Sequence, residues 1–244
     1  MQLVIDIGNT RIKAAIFDGN ILADVFIFNS TTELLASGIL EKFPIKNCIL
    51  ASVVNDIETF LEKLRWKVTV LLFNADTPTP IINLYKTAHT LGSDRLAGAV
   101  GGNNFSPNSN VLVIDAGTCI KYNFITKNNE YLGGGISPGL QMRFKAMNTF
   151  TSRLPLLEVD EKADILIGTN SNESIISGAQ IGAVAEVDGI ITQYKSKYPD
   201  IKVLLTGGDV KFFEKRLKNS IFADQNLILK GLNVILDYNL NRTK

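Results

Sequence analysis

The chain has 244 residues, 45% of them hydrophobic, and its formal net charge is +1. This length allows one large domain or two small ones, and the apolar fraction predicts a well-packed core. Nucleic-acid-binding proteins usually carry a basic excess or a basic stripe, and the sequence shows neither. We therefore expect no nucleic-acid partner.

The cysteines, the first residues and the lengths of the apolar segments predict a cytoplasmic protein. Cys48 and Cys119 lie in apolar runs typical of strands, so we expect buried thiols rather than a disulfide of a secreted protein. The chain enters a strand without a basic leader. Since no uninterrupted apolar segment approaches the roughly 20 residues of a membrane span, we expect no membrane partner. Because His89 is the single histidine, a His-rich metal site is excluded. His89 itself fits a loop or packing role, although its position just before Leu91 and Gly92 leaves a contact with substrate open.

The first half of the chain predicts a three-stranded meander followed by alternating helices and strands. The Asp18-Gly19 pair between two alternating apolar runs is typical of a hairpin. Ser30 is a candidate N-cap for the first helix. The predicted strands cover residues 3–5, 12–16, 21–28, 47–54 and 68–73, and the predicted helices start at residue 30 and cover residues 56–64 and 96–102.

A polar, turn-rich stretch at residues 103–110 predicts a boundary between two domains, 1–108 and 109–244. After it the pattern of strands and helices begins again, which predicts an α/β protein with a mixed sheet in each half. The second half has predicted strands at residues 111–114, 119–125, 131–133 and 202–206, and predicted helices at 140–149, 172–194, 212–217 and 232–240.

One short motif occurs twice, each time at the end of an apolar strand. The copies are Asp6-Ile7-Gly8-Asn9-Thr10 and Asp115-Ala116-Gly117-Thr118. Each supplies a carboxylate, a glycine that lets the backbone approach a phosphate, and a hydroxyl that can bind a phosphoryl oxygen. Asp6 could bind Mg²⁺ directly or through water. A single copy would equally fit an ordinary turn, but two copies predict related half-domains that face each other across a nucleotide.

Two further glycine-rich segments could approach a ligand. Thr206-Gly207-Gly208-Asp209 follows an apolar strand, where it allows a ring or a phosphate to lie against the backbone or simply makes a β–α turn. The 133–139 segment predicts a shaped loop whose amides could face an anion, and Pro138 argues against a floppy connection. Five cations scattered along the chain could meet around one anionic small molecule: Arg11, Lys13, Arg95, Arg143 and Lys145. The P-loop and protein-kinase signatures are absent from the sequence.

Together these motifs resemble the actin and sugar-kinase superfamily of ATP-binding folds, and within it the type III pantothenate kinases. The family's motifs match, in order, Asp6–Thr10, Gly92-Ser93-Asp94-Arg95, Asp115–Thr118, Gly134–Gly139, Thr206-Gly207-Gly208 and Lys230-Gly231-Leu232. The resemblance implies two ribonuclease H-like lobes with a nucleotide cleft between them. It also implies ATP-dependent phosphorylation of pantothenate to 4'-phosphopantothenate, the first step towards coenzyme A.

The resemblance also implies roles for individual residues. Asp94 would be the general base, Asp115 would hold a monovalent cation, K⁺ or NH₄⁺, and Asp6 would lie near Mg²⁺. The implied ATP contacts are Asp6, Ile7, Gly8, Asn9, Thr10, Arg11, Ile12, Lys13, Thr118, Gly207 and Gly208. The implied pantothenate contacts are Tyr85, Gly92, Ser93, Asp94, Arg95 and Ser171. Ser171 departs from the family's threonine, and His89 stands where many members have proline.

Some alternatives remain open at the level of sequence. Taken alone, Asp94-Arg95 also fits a helix cap followed by a surface arginine. Family members are homodimers, and the 172–194 helix is either interface or core. A related sugar kinase, or an ATP-binding accessory transcription factor without turnover, would share much of the same motif set.

Overall fold

The structure, a computed structural model, describes residues 1–54 and 56–242. It contains two compact units. The first comprises residues 1–108, 125–133 and 226–242, and the second comprises residues 109–124 and 134–225. The chain passes from one unit to the other at four places, one of which follows residue 108. The division into domains 1–108 and 109–244 stays a prediction, and its last two residues lie outside the described part of the chain.

The strands form two mixed sheets, which confirms the predicted α/β class. The sheet of the first unit has the order β3-β2-β1-β4-β5, and the sheet of the second unit contains β11-β10-β7-β8-β9. The strands are β1 (Gln2–Ile7), β2 (Ile12–Asp18), β3 (Ile21–Phe28), β4 (Asn47–Ser52), β5 (Thr69–Leu72), β6 (Ile82–Asn83), β7 (Val111–Ala116), β8 (Cys119–Ile125), β9 (Glu130–Pro138), β10 (Lys202–Thr206) and β11 (Phe222–Ala223). The predicted opening meander is confirmed, because β1, β2 and β3 pair in antiparallel fashion.

The helices differ most from prediction at their ends. They are α1 (Thr31–Ala36), α2 (Ile39–Lys42), α3 (Glu58–Arg65), α4 (Ser93–Phe105), α5 (Leu140–Phe150), α6 (Ser171–Ile176), α7 (Gly182–Lys197), α8 (Val210–Glu214) and α9 (Leu227–Arg242). A 3₁₀ turn covers Ala88–Thr90. The hydroxyl of Ser30 accepts the backbone N–H of Glu33 at 3.1 Å, which confirms the predicted N-cap of α1.

The first unit has helices on both faces of its sheet. On one face, alternate residues of β1 and β2, such as Leu3, Ile5 and Ile12, pack against apolar residues of α1 and α3. The other face of β1 is covered by α9, and the amide of Gln2 donates to Asp237 of α9 at 2.6 Å. Helix α4 packs along α9 and against β4. Because side chains alternate along a strand, Asp6 lies on the face that α9 covers.

A close crossing holds α4 and α9 together. A methyl group on Gly231 of α9 would lie 1.9 Å from the carbonyl oxygen of Ala97 in α4. Only glycine fits there, because the obstacle is backbone and cannot turn aside. The crossing gives the Lys230-Gly231-Leu232 motif a physical role, since it fixes the helix that carries Asp94.

The second unit packs one face of α7 against its sheet. Ala183, Val187 and Ile191 of α7 pack with β7 residues such as Leu112 and Ile114. The predicted single helix over residues 172–194 is interrupted by a π turn at Ser177–Ile181. The sequence analysis predicted no membrane-spanning segment. By length and composition, however, the segment Ser171–Lys197 could cross a membrane. One third of the most apolar window of this segment is buried. Core helices of soluble proteins pass the same test, so the absence of a membrane partner stays a prediction.

Three local predictions were wrong. Residues 103–105 continue α4, because the end of that helix packs on α9 and tertiary contacts outweigh the turn propensity of Asn103 and Asn104. The predicted loop from Gly133 to Pro138 is strand β9, in which Gly133 and Gly134 have φ values of 107° and 154°. Cys48 is buried as predicted, but Cys119 is partly exposed because it opens β8 directly after the Gly117-Thr118 turn.

Candidate active site

The first Asp-Gly-Thr motif forms the turn between β1 and β2. The backbone N–H of Gly8 donates to the carbonyl oxygen of Arg11 at 3.1 Å, which closes the turn. Asp6 and Lys13 are paired across the two strands, so their side chains project from the same face of the sheet. Both are half-buried, whereas Asn9, Thr10 and Arg11 are exposed. The corner therefore presents a carboxylate, an ammonium group and an exposed polar turn together.

Helix α4 begins beside this corner. The hydroxyl of Ser93 lies 3.4 Å from the carbonyl oxygen of Ser52, and Ser52 is the strand partner of Ile7. The first turn of α4 thus lies at the same sheet edge, and on the same face, as Asp6. Within the first unit the structure brings together the first Asp-Gly-Thr motif and the Gly92–Arg95 motif, which are 80 or more residues apart in the sequence.

Gly92 gives the Asp94 carboxylate its position. The carboxylate oxygen Oδ1 of Asp94 accepts the backbone N–H of Arg95 at 2.8 Å. A methyl group on Gly92 would lie 2.6 Å from that same oxygen, too close for the carboxylate to stay in place. Asp94 is half-buried in the first turn of α4. A side chain at position 92 would therefore push the Asp94 carboxylate out of this position.

Arg95 is buried and is not a surface arginine. Only 6% of Arg95 is exposed. Its guanidinium carbon lies 5.4 Å from the centre of the Tyr85 ring, a cation–π distance. The Tyr85 ring in turn packs near Tyr131, with ring centres 6.2 Å apart. The structure thus brings together two residues that the sequence assigned to pantothenate, and it excludes the surface-arginine alternative.

A cavity of about 410 Å³ opens next to the Gly92–Arg95 motif. It lies within the first unit at the ends of β4 and β5. Its walls include Ser52, Asn74, His89, Gly92 and Ser93. His89 lies in the 3₁₀ turn before α4 and is exposed, as a loop residue would be. The cavity offers polar groups on the side of the motif where a small polar substrate would be recognised.

The second Asp-Gly-Thr motif forms the turn between β7 and β8. The backbone N–H of Gly117 donates to the carbonyl oxygen of Cys119 at 3.1 Å, and Thr118 is exposed at the tip. Asp115 is 8% exposed. Its Oδ2 lies 2.8 Å from the ammonium nitrogen of Lys121 on β8. The carboxylate that the sequence assigned to a monovalent cation is therefore in an ion pair with a lysine.

The Thr206-Gly207-Gly208 segment lies directly beside Asp115. Thr206 is the strand partner of Asp115, and the backbone N–H of Asp209 donates to the carbonyl oxygen of Ala116 at 3.0 Å. Gly207 has a φ of 103°, a backbone conformation that favours glycine. Burial, and then the charge of Asp115, raises the pKa of the Asp209 carboxyl to about 6. The second unit thus places one carboxylate pair and two glycines at one sheet edge.

Arg143 belongs to a structural network, not to an anion site. The Glu186 carboxylate accepts hydrogen bonds from Tyr122 at 3.0 Å, Ser137 at 2.5 Å and Arg143 at 2.5 Å. Burial acts to raise the pKa of Glu186, but the Ser137 and Arg143 hydrogen bonds hold it below its usual value. The network fixes the end of β9, and Gly139 just beyond it donates its N–H to the carbonyl oxygen of Thr118 at 3.2 Å.

Two of the residues predicted to contact substrate or ATP, Ser171 and Gly208, lie on the exposed surface of the second unit. Ser171 is the first residue of α6 in the second unit and is exposed. Gly208 is also exposed, and an added methyl group there would meet nothing within 4 Å. Among residues 1–54 and 56–242, no group of three or more His, Cys, Asp or Glu side chains could hold a metal ion. A magnesium ion bound mainly by ATP oxygens and water needs no such group.

Sequence reasoning missed Lys121 and Glu186, and it named Asp209 only as part of the glycine-rich segment, without a role of its own. Lys121 had a signal, because it is a cationic residue inside the apolar run of β8, three positions after Thr118. Asp209 also had one, because it directly follows the two glycines. Glu186 had none, since its partners come from three separate elements that only the fold brings together.

Two solved structures have a fold similar to that of this chain. The chain is similar over 98% of its length to a Baf family transcriptional activator from Campylobacter jejuni, with a TM-score of 0.62, 23% identity and 99% of that chain covered. It is also similar to a ROK family glucokinase from Streptomyces griseus, with a TM-score of 0.54, 12% identity, and coverage of 97% and 98% of the two chains. At these identities the likeness concerns the fold alone.

Sequence comparison then identifies the family. Residues 2–193 match the sequence model of type III pantothenate kinase. A protein named type III pantothenate kinase from Phocaeicola vulgatus is 45% identical over 243 residues, which covers 98% of this chain and 99% of that protein. One of the same name from Flavobacterium johnsoniae is 42% identical over 244 residues, covering 99% of each chain. The chain belongs to the type III pantothenate kinase family.

Proposed function

We propose that this chain transfers the γ-phosphoryl group of ATP to the terminal primary hydroxyl of pantothenate, giving 4'-phosphopantothenate, the first step of coenzyme A biosynthesis. Family membership supports the reaction. The observation that carries the assignment to this chain lies in the first unit. There the Gly92–Arg95 motif forms the first turn of α4, and this turn lies at the same end of the sheet as Asp6.

Asp94 is the general base of this proposal. A base must come within hydrogen-bonding reach of the attacking hydroxyl, and a half-buried carboxylate at the first turn of a helix beside a cavity can do so. The hydroxyl proton passes to the Asp94 carboxylate, the hydroxyl oxygen bonds to the γ-phosphorus, and the bond to the β-phosphate oxygen breaks. ADP leaves as the other product.

Pantothenate is held by the residues around that base. Arg95 offers a forked cation suited to a carboxylate or amide oxygen, and the Tyr85 ring fixes its position. Gly92 and Ser93 present backbone and hydroxyl groups at the cavity wall. Ser171 is proposed to add a hydroxyl contact from α6.

ATP contacts are proposed for each unit separately, and those of the first unit lie in its Asp-Gly-Thr turn. The stretch from Asp6 to Lys13 contacts the phosphates through turn N–H groups, the hydroxyl of Thr10 and the ammonium group of Lys13. Thr118, Gly207 and Gly208 contribute a second hydroxyl and a backbone that a nucleotide can approach closely. The metal-bound nucleotide is the substrate, and Mg²⁺ supplies positive charge to the phosphate oxygens near Asp6.

The remaining assignments extend the proposal. The resemblance implies a monovalent cation, K⁺ or NH₄⁺, beside Asp115. The enzyme acts in the cytoplasm as a homodimer, with pantothenate and ATP as its small-molecule partners and without nucleic acid or membrane. The apolar Ser171–Lys197 segment is the proposed interface material, since only a third of its most apolar window is buried within one chain.

The test of the base is Asp94→Asn. The amide keeps the shape but cannot take the proton, so we expect kcat to fall by about 10²- to 10⁴-fold while the Kd for ATP stays nearly unchanged. Product formation from pantothenate and from hexoses should be measured in parallel. A variant with near-normal kcat would contradict the assignment of the base. Turnover of a hexose alone would indicate a sugar kinase, and ATP binding without any acceptor would indicate a non-catalytic role.

A further inference from the structure

The monovalent cation implied at Asp115 meets a structural obstacle. The Asp115 carboxylate already has a cationic partner, because the Lys121 ammonium nitrogen lies 2.8 Å from Oδ2. The two side chains are mostly buried, with 12% of the aspartate side chain and 22% of the lysine side chain exposed. Burial shields this pair from screening by salt, so the ion pair persists in solution.

The fold holds this pair firmly. Asp115 ends β7 and Lys121 lies on β8, and the turn between them is closed by the hydrogen bond from Gly117 to Cys119. On its other side Asp115 is flanked by the Gly207 turn, where a methyl group would lie 2.7 Å from its Oδ1. The Lys121 ammonium group reaches the Asp115 carboxylate from the neighbouring strand. Because a short turn joins β7 to β8, the effective concentration of the ammonium group at the carboxylate is high.

A lysine side chain ends in an ammonium group, which is the alkylated form of one of the two cations that the family implies. It is compact, singly charged and carries three N–H donors. A separate K⁺ bound to the same carboxylate would lie close to this ammonium group and be repelled by it. The Asp115 carboxylate therefore already has one built-in cationic partner, and a free cation at the same carboxylate does not fit beside the Lys121 ammonium group.

We propose that the Lys121 ammonium group takes the place of the monovalent cation in this chain, so that its kinase activity requires neither K⁺ nor NH₄⁺. The inference rests on the proposed pantothenate kinase activity. The structure supplies its essential part, a largely buried lysine–aspartate pair at the second Asp-Gly-Thr turn.

The test compares salts at one ionic strength. Phosphorylation of pantothenate by MgATP is measured in choline chloride, potassium chloride and ammonium chloride. We expect the unmodified enzyme to be equally active in all three. Lys121→Gln should lose about tenfold of its activity in choline chloride, the scale of one lost hydrogen bond to a charged group, and regain part of it in potassium chloride. Lys195→Gln is the matched control, because Lys195 of the same unit donates to Asn219 and should show no salt preference.

A second readout does not depend on turnover. The unfolding temperature is measured for the unmodified protein and both variants in choline chloride and in potassium chloride. Only Lys121→Gln should be selectively stabilised by K⁺, because only its Asp115 is left to bind a free cation. This readout keeps its meaning if the chain does not phosphorylate pantothenate, so failure of the proposed function can be distinguished from failure of this inference.

Two results would overturn the inference. One is strong activation of the unmodified enzyme by K⁺ or NH₄⁺ relative to choline. The other is a K⁺-specific rise in the unfolding temperature of the unmodified protein that equals the rise in Lys121→Gln. If Lys121→Gln does not fold, the salt dependence of the unmodified enzyme decides the question alone.

Discussion

Replacement of Gly92 by alanine should separate catalysis from stability. The added methyl group would lie 2.6 Å from Oδ1 of Asp94. The carboxylate would have to move by about 0.8 Å to regain an ordinary van der Waals distance. That movement strains the 2.8 Å hydrogen bond from the Arg95 N–H and turns the proposed base away from its substrate. Misplacement of a catalytic group by about 1 Å can cost roughly 10²-fold in rate, so we expect kcat to fall by about 10- to 100-fold.

Stability should change little in Gly92→Ala. Gly92 has φ −57° and ψ 133°, which alanine adopts without strain. Alanine is a poorer N-cap than glycine, which costs about 1 kcal/mol or less. For a chain of this size that lowers the unfolding temperature by about 2–4 °C.

The assay is steady-state kinetics with pantothenate and MgATP, beside thermal unfolding. Gly189→Ala is the matched control, because a methyl group at Gly189 in α7 meets nothing within 4 Å. It should keep its kcat and gain a little stability. If Gly92→Ala keeps the kcat of the unmodified enzyme, Gly92 does not set the position of a catalytic Asp94.

Two further predictions concern packing and pH. Gly231→Ala places a methyl group 1.9 Å from the Ala97 carbonyl oxygen. We therefore expect the free energy of unfolding to fall by about 2–3 kcal/mol and the unfolding temperature to fall by about 5–10 °C, whereas Gly189→Ala should be slightly stabilised. Equal stability of the two variants would refute the close helix crossing. Asp209 has its pKa raised to about 6 in the folded protein, so the folded state holds the proton more tightly than the unfolded state, and this group should lower stability as pH rises from about 4 to about 6. After allowance for solvent screening the effect is about 1 kcal/mol, and Asp209→Asn should be less sensitive to pH over that window in denaturant titrations; identical pH profiles would contradict the raised pKa.

The sequence predicted the bounds of strands accurately where short apolar runs are flanked by turn residues. Residues 119–125 and 202–206 are strands with the predicted bounds, because apolar runs bounded by glycine turns have few competing structures. The family resemblance is confirmed by comparison over the whole chain. The motifs proposed to bind phosphate stand out in the sequence because close approach of a phosphate to the backbone favours glycine.

Contacts between distant segments were not predictable in the same way. The extension of α4 through Phe105 and the passage of β9 through Gly133 and Gly134 both depend on packing partners, against the local turn propensity. The pairing of Lys121 with Asp115 depends on side chains meeting across a hairpin, and hydrophobic periodicity carries no information about which polar groups meet. The same holds for the three donors to Glu186.

The most direct test of the central claim is a single-turnover transfer from γ-labelled ATP, with pantothenate and a hexose present together. The claim is that this site phosphorylates pantothenate with Asp94 as the base. The account predicts labelled 4'-phosphopantothenate from the unmodified enzyme, and none within the same time from Asp94→Asn, although that variant still binds ATP. Label on the hexose instead of pantothenate, or equal transfer by the two proteins, would contradict it.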